Sequence, residues 1–273
     1  MVRDVIPQLM QIVCGLEERV VRGELSSWLD MYTAVSQAFS PAIMTDIETR
    51  IPGWEQMAAY DNGQTRIHIC SVYLAMFVTD FYQQASEHDR ALWHWIVLLH
   101  DLAKKAQDGK RDRTHAFRSA VLAAQILPAV GFATLSEYEA IVDEWVVMLD
   151  TAVLPTSGDE IQDNSKLPLI VAGIERMFEV GTPADLILKT ILFHHSFSPV
   201  SAWPNPAPLT DAEIKRWISP RLWQILGPFL FFDSDAWDMY FDSQIRRKQQ
   251  QEVRACIHTV TIVVNLRPRR FPK

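Results

Sequence analysis

The sequence has little cysteine: Cys14, Cys70 and Cys256 are the only three in 273 residues. They are odd in number, widely spaced and free of any C-x-x-C pair, which tells against a disulfide framework or a zinc ribbon and fits reduced thiols. A cytoplasmic setting is the corresponding expectation. The residues Met1 to Pro7 lack the basic start and apolar run of a signal peptide. No stretch reaches the roughly 18 uninterrupted apolar residues that a membrane span needs, so none is expected. Positive charge is also scarce. Lys and Arg number 26 against 33 Asp and Glu, a formal net charge of −7. That balance tells against an extended nucleic-acid surface, whose affinity comes from neutralising phosphates, while leaving a small phosphorylated ligand possible. Internal repeats and linker-like segments are missing too, and strict period-2 alternation persists almost nowhere, so the expected fold class is all-α.

What the chain does have is apolar sequence at helical spacing. With 48% hydrophobic residues it can bury a substantial core, and residues 1–273 read as one domain. Leu9, Ile12, Val13, Leu16 and Val20 place one or two helices within residues 5 to 39. Asp61-Asn62-Gly63 is a turn leading into a helix that carries Arg66, His68, Val72, Met76 and Phe77, with His68 near its start. Residues 89 to 105 form a helix that is apolar nearly all round, which implies central burial. The polar run Gln107 to Arg113 reads as a loop, and His115 opens a helix running to Pro128. Helical spacing recurs from Ser136 to Leu149. Pro155 to Lys166 should be an exposed loop, and Ser198 to Asp211, with its four prolines, cannot be regular helix. Thr182-Pro183 is a helix start, with Thr as cap and Pro at the first position. Ser219-Pro220 and Gly227-Pro228 repeat that signal, and from Pro228 a long helix is expected past Arg247. The β-branched tail Val260 to Val264 fits either a helix or a short strand.

Within this helical pattern the chemistry-bearing residues cluster by type. The run Trp95-Ile96-Val97-Leu98-Leu99-His100-Asp101-Leu102-Ala103-Lys104-Lys105 ends an apolar stretch in an adjacent imidazole and carboxylate. Both are ligands for a divalent transition metal, and both lose solvation if buried without a partner. His68 precedes the pair, His115 follows it, His194-His195 closes Ile191-Leu192-Phe193, and Asp233 stands in Phe229-Leu230-Phe231-Phe232-Asp233-Ser234-Asp235. Two adjacent imidazoles at the end of an apolar helix are costly to bury unused. His88, His94 and His258 have no place in this series and read as structural or exposed.

The order H, HD, H, HH, D resembles that of the HD-domain superfamily of metal-dependent phosphohydrolases, over about residues 64 to 245. The resemblance implies an HD-domain helical bundle with N- and C-terminal helical extensions. It implies a dinuclear centre holding two divalent transition metals per chain, among iron, manganese, zinc, nickel and cobalt. His68, His100, Asp101 and Asp233 would hold the first, and Asp101, His115 and His194 or His195 the second, with Asp101 shared. Asp235 competes with Asp233, since the pattern tolerates either, and Asp233 is the preferred candidate. Water activated between two cations suits in-line attack on phosphorus. Lys104 matches the lysine of the family's H-D-x-G-K signature, with Ala103 where glycine is usual, and would act in catalysis beside the substrate phosphate. Arg66 and Arg118, on the same turns as His68 and His115, are further phosphate-clamp candidates.

The implied activity is hydrolysis of a nucleotide or another small phosphate ester. No Gly-Tyr-Pro follows the paired histidines, which tells against the cyclic-di-GMP-cleaving branch. No Glu-Asp pair comes three residues after His100-Asp101, where the alarmone hydrolases carry one. Two other classes stay open on the same ligands: an HD-fold di-iron oxygenase, and a non-catalytic sensor that binds a nucleotide or metal.

Overall fold

A computed structural model describes residues 2–59, 64–104, 115–150, 164, 167–197, 208–238 and 243–265. Every regular element among the described residues is an α-helix: α1 (Val2–Val5), α2 (Pro7–Val21), α3 (Trp28–Ala38), α4 (Pro41–Arg50), α5 (Trp54–Ala59), α6 (Gln64–Phe77), α7 (Asp80–Gln83), α8 (Glu87–Leu99), α9 (His115–Ala129), α10 (Tyr138–Asp150), α11 (Leu167–Met177), α12 (Pro183–Phe193), α13 (Asp211–Trp217), α14 (Pro220–Asp238) and α15 (Ser243–Asn265). The expected loops at 107–113 and, apart from Asn164, 155–166 lie outside the described residues, as does most of the proline-rich stretch from Ser198. No helix among the described residues is long and apolar enough to cross a membrane. The tail Val260 to Val264 belongs to α15.

Local signals set many of the boundaries. Ser27 and Thr210 each close a capping box with an acidic residue three positions on, Asp30 and Glu213, satisfying amide groups that a helix start leaves open. α12 does begin at Pro183, but the Thr182 side chain does not cap it. Its hydroxyl donates instead to the Glu179 carbonyl at 2.7 Å. Asp185 takes over at this end, accepting from the Gly181 amide at 2.9 Å.

α12 is the most enclosed helix of the bundle. Every residue from Ala184 to Phe193 is buried, because α8, α9 and α14 all pack on it. That burial extends to Lys189 and Asp185, which meet at 2.7 Å, with Glu175 on the same ammonium at 2.8 Å. Full burial of an aliphatic or aromatic side chain stabilises by about 1.5–3 kcal/mol, so α8 and α12 form a stiff floor for what their ends carry. One hydrophobic cluster runs from Val2 to Val264. Gly173 admits α10 to α11: a Cβ there would stand 2.7 Å from Trp145.

Two expectations fail at helix ends. α8 stops at Leu99, with His100 as its C-cap, rather than continuing to 105. A tight turn follows, closed by the Lys104 amide on the Asp101 carbonyl at 2.9 Å. Pro228 does not start a helix but lies inside α14 (Pro220–Asp238), and the expected Arg247 belongs to a separate helix, α15, that packs against α14. Proline removes one main-chain hydrogen bond, yet α14 is held between α6 and α15. The Trp93 indole N–H also donates to the Ile225 carbonyl, in the turn ahead of the proline, at 2.9 Å. Tertiary packing here overrides the local stop signal.

Candidate metal centre

Three helix ends and two helix faces converge at one buried point. His68 comes from the second turn of α6, His100 from the C-cap of α8, Asp101 from the turn after it and His115 from the first residue of α9. His194 is the C-cap of α12, His195 follows it, and Asp233 lies on α14. Helix ends suit this task because the last turn places side chains without committing them to the groove between helices. His68, His100, Asp101, His115 and His194 are buried; His195 and Asp233 are partly so.

Asp101 stands at the middle. Its Oδ1 lies 2.9 Å from His115 Nε2. Its Oδ2 lies 3.8 Å from both His68 Nε2 and His100 Nε2, and 2.7 Å from Lys104 Nζ. Asp233 Oδ1 closes the same side, 2.8 Å from His68 Nε2 and 3.5 Å from His100 Nε2. On the other side the His115 ring packs against those of His194 and His195, with centroids 5.3 and 4.7 Å apart. Two groups thus have ligand atoms close enough to share an ion: His68, His100 and Asp101, and His115, His194 and His195.

The donor set fits a cation. His100 Nδ1 donates to the Val97 carbonyl at 2.9 Å, and His194 Nδ1 to the Ile191 carbonyl at 2.6 Å. Each bond fixes the tautomer and turns the Nε2 lone pair into the cluster. Among the described residues neither Nε2 finds a hydrogen-bond partner. A buried polar atom left unsatisfied costs about 1–3 kcal/mol, and a metal ion is the partner that would remove that cost at several imidazoles at once.

Electrostatics sort the groups further. Burial alone would raise the Asp101 carboxyl. The Lys104 ammonium and the His100 and His115 imidazoles outweigh it and hold the group well below the usual carboxylate range. Asp233 is likewise held well down, its burial outweighed by the His100 and His68 imidazoles beside it. Burial pushes His68 down despite Asp233. Burial and the His115 ring push His194 down to about 3, and burial with the His194 ring holds His195 well below its ordinary value. His100 goes the other way: burial opposes its charge, but Asp101 and Asp233 hold it up. The cluster is thus two carboxylates kept ionised among imidazoles mostly kept neutral, the protonation states that metal binding requires.

The other candidates have partners of their own. The Arg66 guanidinium lies over the Phe39 ring, 5.2 Å from its centroid, and reaches Met44 Sδ at 3.5 Å. Arg118 Nη2 donates to the Ala103 carbonyl at 3.3 Å. Asp235 is engaged by Arg246 on α15. His94 bonds to the Tyr82 hydroxyl at 2.9 Å, while His88 and His258 are exposed.

Two residues near the site had no sequence signal of their own. The Ser119 hydroxyl accepts from the Ala103 amide at 3.1 Å, so α9 grips the turn carrying Asp101 through both Arg118 and Ser119. Ser119 is four residues after His115, on the same helix face, and that spacing was its only visible mark. Phe229 lies edge-on to His100, 5.2 Å between centroids, and walls the cluster from α14. No family model, curated protein or solved structure matches this chain.

Proposed function

We propose that this chain is a metal-dependent phosphohydrolase of the HD type, acting on a nucleotide or another small phosphate ester at a dinuclear centre. The observation that carries the reading is the position of Asp101, whose two oxygens face two different sets of imidazoles. On this reading His68, His100, Asp101 and Asp233 would hold one ion. Asp101, His115, His194 and His195 would hold the other, both histidines of the pair standing beside His115. Bound there, divalent cations supply Lewis-acid polarisation of a phosphoryl oxygen and activation of water near neutral pH.

The chain's own residues do the rest. Lys104 offers a positive charge next to Asp101, placed to pair with a non-bridging phosphate oxygen as negative charge develops there. Asp101 and Asp233, held ionised, balance the charge of the centre. Phe229 and the buried ends of α8 and α12 exclude bulk water, which strengthens those interactions. Arg118, by holding the Ala103 carbonyl, positions the turn rather than clamping phosphate.

The test is metal-stripped protein reloaded separately with manganese, iron, zinc, nickel or cobalt. Each form is assayed on a chromogenic phosphodiester, a phosphomonoester and a panel of nucleotides, with and without dioxygen. The reading expects metal-dependent phosphate-ester cleavage that persists anaerobically. Strict dioxygen dependence with iron alone would assign an oxygenase instead, and metal binding with no turnover would assign a sensor.

A further inference from the structure

The face of α14 turned away from the imidazoles carries its own polar grip. Asp235 is 2% exposed and both its oxygens are taken. Arg246 Nε donates to Oδ1 at 2.8 Å and Nη2 to Oδ2 at 2.6 Å, while Gln250 Nε2 donates to Oδ1 at 2.8 Å. A helix turns about 100° per residue, so Asp233 and Asp235 project to opposite sides of α14. One turn earlier the division repeats. Phe229 faces His100, whereas Phe231 lies under the Arg254 guanidinium, 4.5 Å from its centroid. Arg246, Gln250 and Arg254 are spaced by four and form one stripe along α15. The antiparallel pairing continues to Trp223, whose indole N–H donates to Thr261 Oγ1 at 2.8 Å.

We propose that Arg246, supported by Gln250, is a positioning residue for the metal centre: by holding Asp235 it fixes the rotation of α14 and so sets Asp233 against His68 and His100. The inference rests on the metal centre proposed above. Rotating α14 by about 15° would move an oxygen roughly 6 Å from its axis by about 1.6 Å. A metal–ligand distance tolerates only about 0.2 Å. Apolar contacts alone set rotation loosely, whereas a bidentate guanidinium–carboxylate pair sets it by direction as well as distance. The need is greater here because Pro228, five residues before Asp233, removes a main-chain hydrogen bond from the same helix. α15 thus acts as a brace behind one wall of the centre, without touching the ions.

The experiment compares wild type, Arg246→Met, Arg246→Lys and Gln250→Ala, each confirmed folded by circular dichroism. Zinc or manganese binding is titrated against a chromophoric chelator. The His115→Ala background, which removes a ligand of the other ion, assigns the titration step belonging to the Asp233 side. Loss of residues that support a ligand from behind costs about ten- to a hundredfold in metal affinity. Arg246→Met should therefore weaken the Asp233-side step about tenfold and leave the other step within about twofold, with Arg246→Lys between it and wild type. Gln250→Ala should shift the same step in the same direction by less, and it carries the comparison should Arg246→Met fail to fold. A folded Arg246→Met or Gln250→Ala protein with both steps unchanged, or both weakened equally, would overturn the proposal. Wild type that takes up no metal would overturn the centre itself and the proposal with it.

Discussion

Replacing Lys104 with methionine separates two roles of one ammonium. Nζ lies 2.7 Å from Asp101 Oδ2, the oxygen that also faces His68 and His100 at 3.8 Å. A cation entering among those imidazoles competes with the ammonium for that oxygen. Lys104 is 24% exposed, so solvent screens the pair, and its strength belongs near the lower end for charged hydrogen bonds, about 1.5 kcal/mol. Because about 1.4 kcal/mol is tenfold in an equilibrium constant, Lys104→Met should tighten metal binding on this side about tenfold. Metal content at saturation should not change. The same substitution removes the charge offered to a non-bridging phosphate oxygen, so turnover of the loaded enzyme should fall roughly ten- to a thousandfold. Chelator-competition titration reads the first effect and steady-state ester hydrolysis the second. The opposite signs are the test: weaker metal binding in Lys104→Met, or undiminished turnover at saturating metal, would refute the reasoning.

Asp101→Asn keeps the shape of the side chain but removes the anion that the proposed reading shares between the two ions. It should abolish metal retention and cut turnover well beyond tenfold, about 1.4 kcal/mol of barrier, while the helical circular dichroism survives; near-normal turnover would contradict a shared ligand. Acid should destabilise the metal-free protein. His194 is held down from 6.5 to about 3, so between those values the unfolded chain binds a proton that the folded chain refuses. Stability therefore rises with pH by about 1.4 kcal/mol per unit for each histidine so held. His68 and His195 are lowered too and act in the same direction. His100 is raised and opposes them, its contribution being present in acid and lost as pH rises through its folded value. Thermal unfolding followed between about pH 4 and 7 should give a Tm that falls with acid, and a flat or inverted profile would contradict these assignments.

The gathering of His68, His100, Asp101, His115, His194, His195 and Asp233 was expected from the resemblance of their order to the HD pattern, while the 3.6-residue period showed only that each stands where an apolar helical run starts, ends or exposes one face. The all-helical class followed from the same period and from the want of alternation. The choice between Asp233 and Asp235 could not be read that way. The two carboxylates differ only in which side of α14 they occupy, and their partners, His68 and His100 for Asp233 and Arg246 for Asp235, all come from other helices. The partners of Arg66 and Arg118 were not legible either, because long side chains reach acceptors and rings on other elements: Arg66 lies over Phe39 and Arg118 donates to the Ala103 carbonyl. Pro228 misled for a similar reason. A local rule gave way to packing on both faces of α14, which no window around residue 228 contains.

Metal stoichiometry tests the central claim most directly. Protein stripped with chelator, reloaded with manganese, iron, zinc, nickel or cobalt and freed of unbound ion should hold two ions per chain by elemental analysis. The His115→Ala variant should hold one, since its imidazole belongs to only one of the two ligand groups. Wild-type protein with no metal above background after loading with each of these ions would contradict the account.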